Sequence, residues 1–158
     1  MIVRPLGAAD LDTVGAVQEA AILALGATYD PEQRAAWARF GWHERHQLLR
    51  DPGGFVVAER AERVVGVGGW SPDSVAADLA WLRYLFVHPD CAGRGIGRKL
   101  AGAAEDAARA RGKRTFQVWS SLNAAGFYEA LGYRRLRRGR MPVTGRIEID
   151  YVLLAKDE

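Results

Sequence analysis

The chain has 158 residues, of which 49% are hydrophobic and 26% charged, a composition that predicts one globular domain over 1–158. Its net charge of +3 suits an anionic ligand but is too small to argue for nucleic-acid binding. No apolar run approaches the roughly 20 residues that span a bilayer, and no secretory signal opens the chain. A lone cysteine, Cys91, allows no internal disulfide, so we expect a cytoplasmic protein.

Hydrophobic periodicity predicts short strands and helices along the whole chain. Strands are predicted over 2–4, 55–59, 64–70, 79–87, 115–119, 133–140 and 146–156. Helices are predicted over 10–25, 31–40, 42–49, 96–111 and 123–131. Asp10 and Asp30 are expected to act as N-caps, and Gly41 to separate the second helix from the third.

The order of these elements predicts an α+β fold. The strand over 79–87, the helix over 96–111 and the strand over 115–119 form a unit whose two strands should pair in parallel. The last two strands should pair antiparallel, and glycines in the strand over 64–70 suggest a bulge or a close backbone neighbour. We therefore expect a mixed, mostly antiparallel sheet of about seven strands flanked by helices.

A glycine at every second position joins the central strand to the helix that follows it. Gly93, Gly95 and Gly97 alternate with other residues, and Arg94 and Arg98 add positive charge. Glycines allow positive φ and close approach, and the N–H groups of a first helical turn point at a ligand, so the loop predicts a phosphate site. The alternative is that these glycines serve only the geometry of a tight turn.

Two common phosphate motifs are excluded by single residues. The dinucleotide motif requires glycine where Arg98 stands, and the P-loop requires Ser or Thr where Leu100 stands. The remaining pattern, Gly93 to Arg98 after the strand ending at Val87, resembles the acyl-CoA pyrophosphate loop of the GNAT superfamily of N-acetyltransferases.

A second motif strengthens this resemblance. The family pattern Asn/Ser-x-x-Ala-x-x-Phe-Tyr-x-x-x-Gly-Phe/Tyr is matched by Ser121, Ala124, Phe127, Tyr128, Gly132 and Tyr133. Two positions depart from the family loop, because Ala92 replaces the usual Arg or Gln, and Cys91 stands where an aromatic residue is frequent. We expect backbone amides to hold the phosphates with one side-chain contact missing.

The resemblance implies a GNAT-like fold in which an amine directly attacks the thioester of acetyl-CoA. It implies that pantetheine pairs with the central strand and that Tyr128 hydrogen-bonds to the departing sulfur. The cofactor-binding residues it implies are Leu85, Phe86, Val87, Gly93, Arg94, Gly95, Ile96, Gly97, Arg98, Ser121 and Tyr128.

The general base is not evident, because residues 81–87 contain no carboxylate. Asp78 is the nearest acidic candidate on this strand, with a solvated loop residue as the alternative. His43 and Glu44 could reach the acceptor or lie on a solvent face. The segment lacks the H-E-x-x-H spacing, so no metal is expected.

Two groups of residues have more than one interpretation. The tryptophans at 37, 42, 70 and 81 could hold a cationic amine, but we expect at most one or two of them at the acceptor site. The arginines at 134, 135, 137, 138 and 140 could bind nucleic acid or the 3′-phosphate of CoA, or form a solvated strand face.

The leading hypothesis is an acetyltransferase acting on a primary amine of a small molecule or peptide. A non-catalytic acyl-CoA-binding or regulatory module is the alternative, and a nucleic-acid-binding protein would leave the glycine loop without a purpose. We expect no membrane partner, and homodimerisation through the last strands remains open.

Overall fold

The computed structural model describes residues 1–40 and 42–158, and of Trp42 and His43 only the backbone. The strands are β1 Ile2–Pro5, β2 Phe55–Arg60, β3 Arg63–Pro72, β4 Leu79–Val87, β5 Thr115–Ser120, β6 Arg134–Thr144 and β7 Ile147–Asp157. The α-helices are α1 Leu11–Leu23, α2 Pro31–Arg39, α3 Ile96–Ala110 and α4 Ala125–Ala130. Short 3₁₀ segments cover Ala8–Asp10, Gly26–Thr28, Trp42–Leu49 and Pro89–Cys91. The break expected at Gly41 lies outside the described residues.

The seven strands form one sheet in the order β1-β2-β3-β4-β5-β7-β6. Every neighbouring pair is antiparallel except β4 and β5, which are parallel. The helix α3 joins these two strands, as the sequence pattern predicts. The predicted α+β fold with a mixed, mostly antiparallel sheet is confirmed.

The helices divide between the two faces of the sheet. On one face α3 packs against β2, β3 and β4, around a core that includes Trp70, Leu82 and Phe116. On the other face α1 packs against β3 and β4, and α2 against β6 and β7. Among the described helices, none combines the length and the apolar character needed to cross a membrane.

The glycines of β3 allow close packing by α3 and by the neighbouring strands. A Cβ at Gly66 would lie 2.9 Å from a methyl carbon of Leu100, and a Cβ at Gly68 would lie 2.8 Å from a methyl carbon of Leu85. Against β2, the strand β3 contains one extra residue, because Gly66 pairs with Ala58 and Val64 with the next residue, Glu59. A Cβ at Gly69 would lie 2.5 Å from the carbonyl oxygen of Gly54, so the bulge and the close backbone neighbour that the sequence offers as alternatives are both present.

The parallel pairing of β4 with β5 is short. Leu79, Ala80 and Trp81 pair with Thr115, Phe116 and Gln117. Beyond this point β4 remains paired with β3 and β5 with β7, so the two strands separate toward their carboxyl ends.

A bulge interrupts β4 in its separated part. Arg83 is opposite Gly69 and Phe86 opposite Val67, so β4 contains one more residue than β3 over this interval. Tyr84 has φ of +58°, a left-handed conformation that is rare for a residue with an aromatic side chain. The bulge therefore bends β4 where the strands have parted.

Asp10 differs from its predicted role as a side-chain cap of α1. Its carboxylate accepts hydrogen bonds from Gly7 N at 2.8 Å and from both terminal nitrogens of Arg4 at 2.8 and 2.9 Å. The Arg4 guanidinium holds the pKa of this carboxyl below its usual value. A bidentate partner outside the helix thus replaces the expected bond to the helix start.

Tyr29 ties the elements beside the separated strands together. It is 1% exposed, donates from its hydroxyl to the carbonyl of Asp150 at 2.7 Å, and accepts from the N–H of Leu122 at 2.9 Å. One phenol thus connects the segment before α2 with β7 and with the loop after β5.

Replacing Tyr29 with phenylalanine should destabilise the protein by about 2 kcal/mol, because a backbone carbonyl and a backbone N–H both lose a partner. Urea denaturation followed by circular dichroism would measure this change. Tyr151→Phe is the matched control, because the Tyr151 hydroxyl accepts only from the exposed Arg137 among described residues. Equal stabilities of the two variants would contradict the bridging role of Tyr29.

Candidate active site

A cleft of about 810 Å³ opens where β4 and β5 separate. Its floor includes the β4 residues 81–87 and the β5 residues 118–120. Ile22 and Trp37 line it from the α1–α2 side, and Ala92 and Tyr128 from the α3–α4 side. The cleft therefore has two sides, each built by a different pair of helices.

The free edge of β4 presents backbone amides to this cleft. The N–H of His88 donates to the carbonyl of Val65 at 2.8 Å, so it points toward β3. Because N–H directions alternate along a strand, the N–H of Val87 points to the side that β5 has left. This edge can pair with an extended ligand as a further strand would.

The glycine loop lies at the end of the same edge. Gly93 and Gly95 have φ of +75° and +78°, and a Cβ at either position would meet no atom within 4 Å. Backbone conformation, rather than lack of space, therefore requires glycine at these two positions. The first α3 bond joins the N–H of Lys99 to the carbonyl of Gly95 at 3.2 Å. The N–H groups of 96–98 consequently have no partner within the helix.

Other residues of the loop supply close packing and charge. A Cβ at Gly97 would lie 3.4 Å from the ring of Phe127, so glycine lets α3 approach α4 closely. Arg94 and Arg98 are exposed beside the helix start. Free amides, the positive end of a helix and two guanidinium groups together favour a phosphate group.

Tyr128 extends from α4 into the cleft. It is 5% exposed, and its ring contacts those of Phe127 and Tyr133, with centroids 5.0 and 5.6 Å away. Its hydroxyl has no hydrogen-bond partner among the described residues. Burial raises the pKa of Tyr128 well above the usual value for a phenol, so the group stays protonated and can donate a hydrogen bond.

A family model supports the assignment of this arrangement. The model described as the acetyltransferase (GNAT) family matches residues 18–133, which include the cleft and the glycine loop. The chain belongs to the GNAT acetyltransferase family. This family is one of acyltransferases, in agreement with the enzyme class that the sequence predicts.

Similar proteins agree with the family assignment. An uncharacterised N-acetyltransferase of Methanocaldococcus jannaschii is 32% identical over 108 residues, which are 64% of this chain and 47% of that protein. The chain thus spans about half the length of this curated relative. A GCN5-related N-acetyltransferase from Rhodopseudomonas palustris superimposes with a TM-score of 0.86 at 29% identity, covering 99% of this chain and 95% of that one.

A second solved structure shows the same fold. The PaiA N-acetyltransferase from Thermoplasma acidophilum, solved in complex with coenzyme A, has a TM-score of 0.78 at 19% identity. The alignment covers 99% of this chain and 98% of that one.

The structure brings most of the site residues predicted for this GNAT domain to the cleft or to the adjacent loop. Lining residues among them are Leu85, Phe86, Val87, Ser121 and Tyr128. Gly93, Arg94, Gly95, Ile96, Gly97 and Arg98 form the loop and the first turn of α3. Ser121 Oγ accepts from the N–H of Ala124 at 3.1 Å, which fixes the start of α4.

Asp78 is not brought into the cleft. It is exposed just before β4, and its backbone carbonyl accepts from the N–H groups of Arg114 and Thr115. Six residues separate it from Tyr84, about 20 Å along an extended strand. The prediction that Asp78 acts as the base therefore has no geometric support, because it rested on the closeness of Asp78 in sequence to the strand that lines the cleft.

The other candidates for the base have different positions. Glu44 is exposed and does not line the cleft, and the side chain of His43 lies outside the described residues. His88, which follows β4, accepts through Nδ1 from the N–H of Asp90 at 3.2 Å and so caps the short 3₁₀ segment Pro89–Cys91.

The tryptophans divide between the core and the cleft. Trp70 is 1% exposed in the core, whereas Trp37 and Trp81 line the cleft, in agreement with the expected one or two. Sequence reasoning missed Trp119, which also lines the cleft and is 53% exposed. Alternation along β5 could have identified it, because Phe116 and Val118 are buried on the opposite face.

The arginine-rich strand β6 lies at the edge of the sheet and is paired with carboxylates. Arg138 and Arg140 donate to Asp150 at 2.5 and 2.9 Å, and they hold the pKa of this carboxyl below its usual value. Arg134 pairs with Asp157 at 3.1 Å. These contacts are what the interpretation as a solvated strand face predicts.

Tyr128→Phe should leave the free energy of unfolding within about 0.5 kcal/mol of the parent, because the lost hydroxyl has no partner among described residues. Tyr133→Phe is the matched comparison, since this hydroxyl donates to the buried Glu105 at 2.9 Å. Its loss should cost about 2 kcal/mol, measured by urea denaturation. A destabilised Tyr128→Phe protein would show that the phenol has a structural partner.

Proposed function

We propose that this protein transfers the acetyl group of acetyl-CoA to a primary amine by direct attack in a ternary complex. The observation that carries the proposal is the continuity between the free edge of β4 and the glycine loop. An extended pantetheine arm and a diphosphate are the two chemical parts that such an edge and such a loop would bind. The family membership and the coenzyme A bound by the Thermoplasma protein support this reading.

The residues present fit this co-substrate. The free N–H groups of the first α3 turn and the guanidinium groups of Arg94 and Arg98 suit its phosphates. The backbone of β4 at Leu85 and Val87 suits the amides of the pantetheine arm. Acetyl-CoA supplies the acyl group as a thioester, and a backbone N–H at Val87 can polarise the thioester carbonyl.

The buried phenol of Tyr128 acts on the sulfur atom of the thioester. Its raised pKa makes complete proton transfer to a thiolate unfavourable, since a thiol has an ordinary pKa of about 8.5. Tyr128 therefore stabilises the departing sulfur by donating a hydrogen bond as negative charge develops there. The proton can return to the thiolate from water.

The amine loses its proton to solvent in this scheme. Deprotonating an amine of pKa about 10.4 at pH 7.4 costs about 4 kcal/mol. Among the described residues, no carboxylate lines the cleft. Water at the open mouth of the cleft then has to carry the proton away, and the rate should rise with pH as the free amine becomes more abundant.

The lack of a carboxylate among the described lining residues also favours a second candidate, a domain that binds acyl-CoA without catalysis. Release of free thiol from acetyl-CoA in the presence of an amine panel separates the two functions. Tight binding of CoA with no release in the presence of any amine would favour the binding module.

Replacing Gly95 with valine should raise the dissociation constant for CoA at least tenfold, measured by isothermal titration calorimetry. A β-branched residue strains the left-handed conformation at this position, so the loop amides should lose their alignment.

Gly112→Val is the control for this experiment. Gly112 follows the other end of α3 with φ of +82°, and its Cβ would also meet no atom within 4 Å. It should lose similar stability and keep the parental affinity for CoA. Equal affinities of the two variants would place the diphosphate away from this loop.

Tyr128→Phe should lower kcat roughly ten- to hundredfold while the KM for acetyl-CoA stays within about twofold, because the hydrogen bond to sulfur forms as the bond breaks. Steady-state thiol release measures both constants. The parent should show no fall in rate up to about pH 10, since burial keeps the phenol protonated. Parental kcat in the variant would leave Tyr128 with a packing function only.

A further inference from the structure

The acceptor side of the cleft has a composition of its own. Leu82 points into the core beneath α3, so its neighbours Trp81 and Arg83 project to the opposite face, which α1 and α2 partly cover. Trp119 on β5 contacts Trp81 there, and Trp37 of α2 lines the same cleft. An acceptor that enters from the α1–α2 side meets these residues before it reaches the free edge of β4.

Arg83 is the one charged residue among the described residues that line the cleft. The remaining lining is aliphatic, aromatic or hydroxylated. An acceptor with several positive charges would be repelled by this guanidinium and would meet no compensating carboxylate on the described walls. An acceptor with a negative group would find its complement.

The guanidinium of Arg83 keeps one edge available. Its Nη1 lies 3.4 Å from the hydroxyl of Ser71 and 3.6 Å from a carboxylate oxygen of Asp51. Both contacts use the same nitrogen, and Nε and Nη2 have no partner among described residues. The Arg83 side chain is also 57% exposed. The pair Nε–H and Nη2–H is the fork that binds a carboxylate through two parallel hydrogen bonds.

Ser71 and Asp51 orient this fork without occupying it. The Asp51 side chain is 14% exposed, and its other oxygen accepts from the N–H of Gly53 at 2.9 Å. A separation of 3.6 Å is beyond the normal length of a charge-assisted hydrogen bond. The ion pair therefore holds Arg83 in place, and the donors that point away from it remain open to a ligand.

Beside Arg83 the tryptophans form an apolar wall. The rings of Trp81 and Trp119 have centroids 4.9 Å apart, and the ring of Trp37 lies 5.3 Å from that of the buried Tyr29. Asp73 accepts from Trp81 Nε1 at 2.9 Å, which fixes the orientation of this indole. A rigid aromatic wall of this kind stabilises an apolar or aromatic group at little cost in side-chain entropy.

We propose that the acceptor is a small amino-carboxylate with an apolar or aromatic side chain, such as a hydrophobic amino acid. This inference rests on the proposed acetyl transfer. Arg83 binds the acceptor carboxylate through Nε and Nη2, and the wall of Trp81 and Trp119 binds the side chain. Arg83 and Leu85 are two residues apart, about 7 Å along the strand, so one small molecule can reach both the guanidinium and the free edge.

The proposed transfer needs no reactant other than the amine and acetyl-CoA. The neutral amine nitrogen forms a bond to the acetyl carbon, and the bond from this carbon to sulfur breaks. The sulfur leaves with the electron pair as a thiolate, and the excess proton on nitrogen passes through water to the thiolate or to bulk solvent. The acceptor carboxylate stays unchanged on Arg83, so its contribution is to binding and orientation.

A panel of matched acceptors tests the proposal by thiol release. It contains L-phenylalanine, L-tryptophan, L-leucine and L-methionine, with L-phenylalaninamide and 2-phenylethylamine as acceptors without a carboxylate, and spermidine as a polycation. The amide has a less basic amine, so it would react faster at neutral pH if the carboxylate made no difference. We expect kcat/KM for the best amino acid to exceed that of its amide and of 2-phenylethylamine at least tenfold.

Arg83→Gln should raise the KM for the amino acid at least tenfold and leave the KM for acetyl-CoA within about twofold. It should also remove the preference for the amino acid over 2-phenylethylamine, which a merely structural defect would not do. Arg83→Lys should recover part of the affinity, since it keeps the charge and loses the fork. Arg63→Gln, at the exposed start of β3, is the control and should behave like the parent.

The results of these assays distinguish a wrong acceptor assignment from a wrong proposed reaction. Equal or better use of 2-phenylethylamine or spermidine would overturn the amino-carboxylate assignment and leave acetyl transfer intact, as would an unchanged preference in Arg83→Gln. Binding of CoA with no transfer to any amino acid in the panel would also overturn it. Failure to bind CoA at all would reject the proposed function itself.

Discussion

The early end of the pairing between β4 and β5 is the constraint on which the rest of this structure depends. Each of these strands has a second partner, β3 for β4 and β7 for β5, and both outer pairings continue where the central one stops. The separation thus leaves a strand edge with unpaired backbone groups inside the protein. Such groups are costly when no partner satisfies them, so the edge favours a ligand that can pair like a strand.

The bulge at Tyr84 maintains this separation. A left-handed conformation at a non-glycine residue costs on the order of 1–3 kcal/mol and persists only where its surroundings enforce it. Here the hydroxyl of Tyr84 bonds to the side chain of the buried Gln18, and its ring contacts that of Phe86 at 5.0 Å. Burial raises the pKa of Tyr84 to about 12, so the hydroxyl remains a donor to Gln18 at neutral pH. The hydrogen bond to Gln18 of α1 thereby helps to hold the bend in β4 beside the cleft.

Much of the fold and of the cofactor side could be predicted from the sequence because the signals are local. The strand over 79–87 and the helix that begins at Ile96 follow from apolar periodicity and from the glycines between them. The acceptor side could not be predicted in this way. Arg83 and Trp119 are far apart in the chain, and only the parting of two strands places both on one wall. Asp78 shows the converse error, since a short distance in sequence becomes a long one along an extended strand.

The two sides of the cleft therefore differ in whether backbone groups or side chains would bind the substrate. On the proposed cofactor side, backbone groups would do most of the binding, so side chains such as Ala92 and Cys91 can depart from the family pattern without removing the amides. On the proposed acceptor side, side chains from β4, β5 and α2 would carry the recognition, so a substitution there would change what the wall can bind. Arg83 is the sharpest example. Its guanidinium is paired on one side with Asp51 and has a free edge on the other, so in the proposed function it would favour an acceptor with a carboxylate.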